Sequence, residues 1–368
     1  MPKDPISYSL SGVNYENLDK IKRLAQSQAL ETSKNIEDSG FKVLDQSRGE
    51  TAFVWDERDS YKALVIESLG TKSTIAEEVL KTTDRSFFSE IAQDTVAMIV
   101  NDLIVVGAKP LVVNAYFGLG NSDWLLKETK GEALIKGFAE ACTLSGAVWG
   151  GGETPSLSGI VQENAIDLAG SAVGIINPKD RLTLGDKIKS GDAIIFIESN
   201  GIHSNGISLV RKIVDSLPDR YQTKLPSGKT LGESVLRPTH IYAKAITSLF
   251  DEGVNIHYLS NITGHGFRKI MRAREEFTYT IENLPEVDEL FQFIQQESGM
   301  SDEDMYGTFN MGAGFAVILP EEESERAAEI ITNAGFKAIL AGTVKEGEKQ
   351  VVIKPLNLTF KAASLGVR

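Results

Sequence analysis

The segment from Asp94 to Asp102, Asp-Thr-Val-Ala-Met-Ile-Val-Asn-Asp, constrains the fold of this chain more than any other. Apolar side chains recur around it at helical spacing, which predicts one helix over residues 92–106 with a single apolar stripe: Val96, Val100, Leu103 and Ile104. Asp102 lies well inside this helix, where a carboxylate is costly unless it is paired or bound to a metal ion. The pattern therefore predicts a buried helix that carries a functional acid.

Asp94 stands at the other end of the same segment and has two interpretations. It precedes the apolar stripe, so it is either the N-cap of the helix or a second functional acid. Along one straight helix the two carboxylates are about 12 Å apart. Asp94 and Asp102 therefore cannot chelate a single ion together without other elements, and both interpretations of Asp94 stay open.

A glycine run, Gly150-Gly-Gly-Glu-Thr154, follows a short apolar segment that is typical of a strand. Glycines let a backbone approach an anion closely, and consecutive N–H groups can cradle phosphate oxygens. Glu153 adds a carboxylate, the ligand type that Mg²⁺ prefers. A plain glycine turn has the same composition, and no Walker A lysine follows. Together with Asp102, the run predicts a magnesium-nucleotide site.

Two further polar side chains stand in glycine-containing turns. Lys72 ends the segment Glu67-Ser-Leu-Gly-Thr-Lys72 and either neutralises a phosphate or is an ordinary solvated lysine. His203 lies in Gly-Ile-His-Ser-Asn-Gly, a loop with three polar side chains, and is either functional or a residue that stabilises the turn. The sequence has no histidine-cysteine zinc spacing, no Gly-x-Ser-x-Gly and no Gly-x-Gly-x-x-Gly.

Helical and strand patterns alternate along the whole chain, which predicts an α/β or α+β protein of two similar-sized domains. Predicted helices cover 15–38, 92–106, 126–145, 207–216 and 238–250, and predicted strands cover 52–55, 63–66, 111–117, 167–176, 193–198 and 312–319. A polar turn with a proline at residues 177–181 predicts the boundary. The expected domains are therefore residues 1–176 and 177–368.

Charge and cysteine content narrow the class of function. The net charge of −13 argues against nonspecific binding to nucleic acid or to an anionic membrane, because both need a basic face. Cys142 is the only cysteine, so no disulfide forms within the chain and a reducing compartment is expected. The first residues lack the apolar core of a secretory signal. We expect a cytoplasmic, soluble protein without a membrane span.

Ten collinear segments resemble the aminoimidazole ribonucleotide synthetases, also called phosphoribosylformylglycinamidine cyclo-ligases, over nearly the whole chain. They are Tyr8–Asn14, Gly70–Lys72, Asp94–Asp102, Gly107–Leu111, Gly151–Thr154, Asp167–Gly170, His203–Lys212, Pro238–Tyr242, Ile262–Phe267 and Phe309–Gly312. The resemblance implies two α/β domains, the first for ATP binding and dimerisation. It also implies a homodimer in which the first-domain sheets of two subunits pair into a shared β-barrel.

The same resemblance assigns roles to individual residues. The implied catalytic residues are Lys72, Asp102 and His203, and the implied nucleotide-binding residues are Gly70, Thr71, Asn101, Gly151, Gly152 and Thr154. The implied residues near the phosphoribosyl substrate are Ser204, Asn205, Thr263 and Gly264, and the implied Mg²⁺ ligands are Glu67, Asp94, Asp102 and Glu153. The cofactors are then ATP and Mg²⁺.

The implied reaction is the ATP-dependent ring closure of formylglycinamidine ribonucleotide to aminoimidazole ribonucleotide in purine biosynthesis. ATP phosphorylates the formyl amide oxygen, and the amidine nitrogen attacks the activated carbon and expels phosphate. Metal and lysine would balance the charge that moves onto ADP.

The sequence departs from the family pattern at positions near the expected site. Glu67 and Asn14 replace the usual aspartates, and His265 interrupts a Thr-Gly-Gly-Gly segment. These changes leave two alternatives: another ATP-dependent enzyme of the same superfamily, a kinase or a phosphate-activating enzyme with a different substrate, or a nucleotide-binding protein that has lost turnover.

Overall fold

The chain builds two β-sheets in succession, and the computed structural model describes residues 15–365. The segment Tyr8–Asn14, which contributes to the family resemblance, lies outside these residues. Six strands form the first sheet and seven strands form the second, and no strand is exchanged between them. The chain passes from one sheet to the other after Ile176. This arrangement is an α/β fold of two domains.

From residue 15 onward, the first domain contains four α-helices and six strands. Its helices are α1 (Tyr15–Glu31), α2 (Lys72–Thr83), α3 (Phe88–Ile104) and α4 (Ala133–Leu144). Its strands are β1 (Lys42–Val43), β2 (Phe53–Asp56), β3 (Tyr61–Ser68), β4 (Lys109–Leu119), β5 (Val148–Glu153) and β6 (Ile166–Ile176). The strand order is β1-β2-β3-β6-β4-β5, and every pair is antiparallel except β4 with β5.

As far as residue 365, the second domain contains six α-helices and seven strands. Its helices are α5 (Ile207–Val214), α6 (Leu231–Val235), α7 (Ala243–Asp251), α8 (Glu289–Ser298), α9 (Asp302–Thr308) and α10 (Ser324–Asn333). Its strands are β7 (Ala193–Glu198), β8 (Tyr258–Asn261), β9 (Phe277–Ile281), β10 (Ala313–Leu319), β11 (Ala338–Glu346), β12 (Gln350–Ile353) and β13 (Leu358–Lys361). The order is β13-β12-β9-β11-β7-β10-β8.

Helix α3 is the central element of the molecule. It packs on β3 and β6 of the first sheet and also contacts α7 and β8 of the second domain. Every residue of this helix is buried except Ser89, Glu90 and Gln93, which are partly exposed. The predicted apolar stripe is confirmed, but the helix is hydrophobic nearly all round because both domains cover it. Its polar residues must therefore find partners inside the protein.

Those partners lie in the segment 237–242 of the second domain. Asp94 accepts a hydrogen bond from the backbone N–H of Thr239 at 2.8 Å, and Asn101 Oδ1 accepts one from the N–H of Tyr242 at 3.0 Å. The amide of Asn101 also donates to the carbonyl of His240 at 2.8 Å. Because these backbone groups bond to α3, they do not join a helix. The predicted helix over 238–250 is therefore wrong in its first turn, and α7 begins at Ala243.

The glycine run is part of a strand rather than a loop, which corrects the predicted phosphate-binding turn. Strand β5 contains Gly150–Gly152 and pairs in parallel with β4 at the edge of the first sheet. A Cβ on Gly152 would lie 2.1 Å from the carbonyl oxygen of Ala115, and one on Gly150 would lie 2.5 Å from Val112 Cγ1. Close packing of β5 on β4 therefore explains two of the glycines.

The predicted strands over 167–176 and 193–198 agree with β6 and β7 to within one residue. The predicted helix over 126–145 is interrupted, because residues 128–132 form a π turn before α4. Within residues 15–365, no helix combines the length and the apolar character that a bilayer crossing requires.

Candidate functional site

A cleft of about 240 Å³ lies where the two domains meet. The first domain contributes Glu50, Thr51, Glu67, Met98 and Asp102, and the second contributes Asn205, Thr263, Gly264, His265, Lys269 and Arg272. Five of the residues that the sequence singled out therefore line one cavity. These are Glu67, Asp102, Asn205, Thr263 and Gly264.

Two carboxylates stand side by side on the first-domain wall of the cleft. Glu67 is near the end of β3 and Asp102 is near the end of α3. Burial, and then the negative charge of Asp102, raise the pKa of Glu67 to about 7. The two negative charges repel each other, and a cation bound between the carboxylates would remove this repulsion. The arrangement therefore favours the binding of one shared cation.

Asp102 is held in place from both domains. Asn261, at the end of β8, donates a hydrogen bond from Nδ2 to Asp102 Oδ1 at 2.7 Å. The hydroxyl of Thr51 donates to the backbone carbonyl of Asp102 at 2.6 Å. The residue is thus held in a fixed orientation at the cleft wall.

Lys72 and Asp94 do not line this cavity. Each side chain is fully buried, and Lys72 Nζ lies 2.7 Å from Asp94 Oδ2. The Lys72 ammonium also donates to the carbonyl of Arg237 at 3.0 Å, while Asp94 Oδ1 accepts from the N–H and hydroxyl of Thr239. The two charges thus balance each other between the domains. Asp94 is also not an N-cap, because α3 begins six residues earlier.

The His203 loop contributes less to the cavity than expected. His203 is 4% exposed, lies 6.2 Å from the Tyr242 ring between centroids, and is absent from the cleft wall. Burial lowers the pKa of its imidazole well below the usual range, so the ring is neutral. Ser204 is buried near the hydroxyl of Thr239, 3.4 Å away. Only Asn205 of this loop reaches the cleft, where its amide lies 4.0 Å from Met98 Sδ.

The predicted nucleotide residues fall into three places. Gly70, with φ of +73°, and Thr71 form the turn between β3 and the first residue of α2. The side chain of Asn101 lies between the domains, where it is hydrogen-bonded to the backbone of His240 and Tyr242. The strand β5 and its continuation carry Gly151, Gly152, Glu153 and Thr154, all exposed at the edge of the first sheet.

Glu153 is therefore separated from the acidic pair by its place on an edge strand. Its Oε1 accepts a hydrogen bond from the N–H of Thr154 at 3.2 Å, and it does not line the cleft. Over residues 15–365, no three His, Cys, Asp or Glu side chains gather as a metal-ligand set. Of the four predicted Mg²⁺ ligands, Glu67 and Asp102 line the cleft.

Sequence reasoning missed the cations of the cleft. Lys269 is 8% exposed and lies in the 3-10 helix Gly266–Met271, while Arg272 follows that helix and donates to the carbonyl of Gly49 at 2.6 and 3.0 Å. Lys269 lies five residues after Gly264, in the basic run Arg268-Lys269-Ile270-Met271-Arg272. This run of cations close to the Thr263-Gly264 segment was the available signal.

The fold defines a class of two-domain proteins with known nucleotide complexes. The structure of AaThiL complexed with AMPPCP and TMP superposes with a TM-score of 0.57, covering 85% of this chain and 90% of that one at 17% identity. The T. maritima PurL complexed with AMPPCP gives 0.56, covering 88% of this chain and 48% of that one at 15% identity. At these identities the likeness shows the shared fold.

The family follows from the sequence itself. Residues 49–176 match the N-terminal domain of AIR synthase related proteins, and residues 189–354 match the C-terminal domain. The chain belongs to the AIR synthase related family.

Curated relatives cover almost the whole chain. The phosphoribosylformylglycinamidine cyclo-ligase of Methanobrevibacter smithii is 36% identical over 94% of this chain and 97% of its own. The enzyme of the same name from Alkaliphilus oremlandii is 39% identical over 78% of this chain and 82% of its own. The resemblance drawn from the ten segments is thus confirmed.

Proposed function

We propose that this protein is an ATP-dependent cyclo-ligase that closes formylglycinamidine ribonucleotide to aminoimidazole ribonucleotide, with release of ADP and phosphate. The observation that carries the proposal is the cleft itself. It brings the acidic pair Glu67 and Asp102 against Asn205, Thr263 and Gly264 of the other domain, in a chain whose relatives of 33–39% identity bear the cyclo-ligase name.

The acidic pair fits a magnesium ion. Mg²⁺ is usually bound by one or two carboxylates, several waters and the phosphates of a substrate. Glu67 and Asp102 supply the carboxylates, and burial, followed by the negative charge of Asp102, raises the pKa of Glu67, which a bound cation would lower. The ion would supply charge neutralisation for the phosphoryl group that leaves ATP. The protein's own task includes holding Asp102 at a fixed place, through Asn261 and Thr51.

The turn after β3 is suited to the nucleotide phosphates. Gly70 and Thr71 precede the first residue of α2, a helix of 12 residues, so free backbone N–H groups and the positive end of the helix dipole lie there. Glu67 lies on the strand that leads into this turn. The first domain therefore offers an anion-binding turn and a metal-binding acid on one short segment.

The second domain completes the site for the ribonucleotide. In the reaction a C–N bond forms between the amidine nitrogen and the formyl carbon, the carbon–oxygen bond to phosphate breaks, and a nitrogen loses its proton. Holding the nitrogen and the carbon in contact lowers the activation free energy of ring closure, because the translational and rotational entropy of the reacting groups has already been lost on binding. Asn205, Thr263 and Gly264 stand opposite the acids and are the residues we assign to this positioning.

The proposal is tested by measuring ADP release from Mg-ATP with and without formylglycinamidine ribonucleotide, together with the aminoimidazole product. We expect ADP release that depends on the ribonucleotide and equals the product formed. ADP release indifferent to that substrate, without product, would overturn the proposal in favour of another enzyme of the superfamily. Neither ADP nor product would favour a nucleotide-binding protein without turnover.

A homodimer is the second part of the proposal, and the outer face of the first sheet supports it. Strand register places Phe53, Leu64, Val173, Val112 and Val148 in one row across five strands. Leu64 is 41% exposed and Val148 is 65% exposed, whereas α3 covers the opposite face. A continuous apolar row on a sheet marks an interaction surface. A second copy of the same sheet is the partner that the proposed barrel requires.

Replacing Leu64 by aspartate is expected to convert the dimer into a monomer. The carboxylate would lie in the middle of the apolar row and would lose its hydration in the interface. Light scattering coupled to size-exclusion chromatography measures the mass directly. Leu126→Asp is the matched control, because Leu126 is 83% exposed in the same domain but outside the row. A dimer that survives Leu64→Asp, or a wild-type monomer, would contradict this part of the proposal.

The remaining features agree with a small-molecule enzyme of the cytoplasm, and we propose that location. Cys142 is buried, and burial raises the pKa of its thiol to about 11, so it is an unreactive packing residue. The net charge of −13 gives no basis for nucleic-acid binding.

A further inference from the structure

Lys269 is a buried cation for which the protein provides no direct counter-charge. Its side chain lines the cleft but is only 8% exposed. Among the described residues, no carboxylate oxygen comes within 4.0 Å of its ammonium. Two other lysines with described side chains are buried as deeply, and both are paired: Lys72 with Asp94 at 2.7 Å and Lys130 with Glu77 at 2.5 Å. Lys269 is thus an exception among them.

Keeping an unpaired ammonium in this position is unfavourable. Burial, and then the positive charge of Arg272, lower the pKa of Lys269 to about 8. Asp102 and Glu67 act on it only through space and oppose this shift incompletely. A packed apolar side chain would avoid the penalty. A buried charge that costs stability, in a cleft, is typical of a ligand-binding role.

The surroundings indicate the charge of the ligand. The acids Glu67 and Asp102 occupy one wall of the cleft, whereas Lys269 belongs to the opposite domain, five residues after Gly264. An anion is repelled by the acidic wall and attracted by Lys269. A compact ammonium on a flexible stem is a point charge suited to a phosphoryl oxygen.

We propose that Lys269 binds a phosphoryl oxygen of an anionic ligand in the interdomain cleft. The identity of that ligand rests on the proposed function, which offers two sources of the same chemistry. One is the phosphate monoester of the ribonucleotide, and the other is the terminal phosphoryl group of ATP.

Steady-state kinetics distinguish the two sources. We expect Lys269→Gln to raise one KM by about tenfold or more, because it removes a charged hydrogen bond, while Lys269→Arg retains most of the wild-type value. A rise confined to the ribonucleotide assigns Lys269 to the monoester, and a rise confined to ATP assigns it to the nucleotide. Lys244→Gln, an exposed lysine of the same domain, is the control. Unchanged KM and kcat in Lys269→Gln would overturn the proposal.

A binding measurement separates this inference from the proposed function. Inorganic phosphate should raise the melting temperature of the wild type and of Lys244→Gln, but not that of Lys269→Gln. This pattern in a protein without cyclo-ligase turnover would support Lys269 and reject the function. Normal turnover with equal phosphate stabilisation in all three proteins would reject Lys269 alone. Melting curves without phosphate check that Lys269→Gln is folded.

Discussion

Asp102→Asn is expected to reduce kcat by about 10²- to 10³-fold while leaving the protein folded. Asparagine has nearly the same shape and keeps an oxygen that can accept the hydrogen bond from Asn261, which Asp102 Oδ1 accepts at 2.7 Å. What it removes is the negative charge beside Glu67. Because that charge helps to raise the pKa of Glu67 to about 7, its loss should lower this pKa and relieve a repulsion. Turnover and melting temperature, measured side by side, test both statements.

Asp59→Asn is the matched control for this experiment. Asp59 is exposed in the turn between β2 and β3, so neutralising it changes the net charge equally without touching the cleft. Its turnover should equal that of the wild type. Full activity in Asp102→Asn would exclude Asp102 from the reaction, and a large drop in its melting temperature would show that its role is structural.

Asp94→Ala is expected to have the largest effect on stability, a loss of about 3–5 kcal/mol in the free energy of unfolding. The substitution leaves the Lys72 ammonium fully buried without its carboxylate partner at 2.7 Å. It also removes the acceptor for the N–H and hydroxyl of Thr239. Unsatisfied polar groups in a buried seam retain their desolvation penalty. Urea denaturation followed by circular dichroism measures the loss.

The double variant Lys72→Met with Asp94→Leu provides the discriminating comparison. It removes both charges together, so no unpaired charge stays buried, and we expect it to be markedly more stable than Asp94→Ala alone. If the double variant were as unstable as the single one, the packing of the seam rather than the ion pair would carry the stability. If Asp94→Ala changed stability by less than 1 kcal/mol, the buried pair described here would not exist in solution.

The parts of the fold with regular patterns were predictable. The apolar stripe of α3 and the buried strand β7 follow from spacing and composition. The first turn of the predicted 238–250 helix failed because Asp94 and Asn101, which are distant in sequence, bind its backbone groups. The prediction of a turn at the glycine run was wrong for a similar reason. Its residues are small because β5 packs closely on the neighbouring strand β4, a contact that the local sequence does not reveal.

The candidate site was predictable where a residue type is unusual for its surroundings. Asp102, a carboxylate among apolar residues, was found in this way, and it lines the cleft. Lys72 and His203 were predicted in comparable turns, yet both are buried outside the cavity, because Asp94 and Tyr242, which are distant from them in sequence, pack against them. Lys269 was not predicted as a site residue, because a lysine in a short helix is usually solvated. Its burial results from the packing of the two domains, which the sequence pattern does not show.

The polar face of α3 has a consequence for the order in which the protein matures. During synthesis the first sheet and α3 leave the ribosome well before residues 239–261 exist. Until then Asp94, Asn101 and Asp102 lack the groups that bond to them in the finished molecule, and a helix buried on both sides has only one side to pack against. The amino-terminal half therefore completes its folding only after residues 239–261 of the second domain have been synthesised. Inherited changes at Thr239, whose hydroxyl donates to Asp94, would then act as folding defects of the distant first domain.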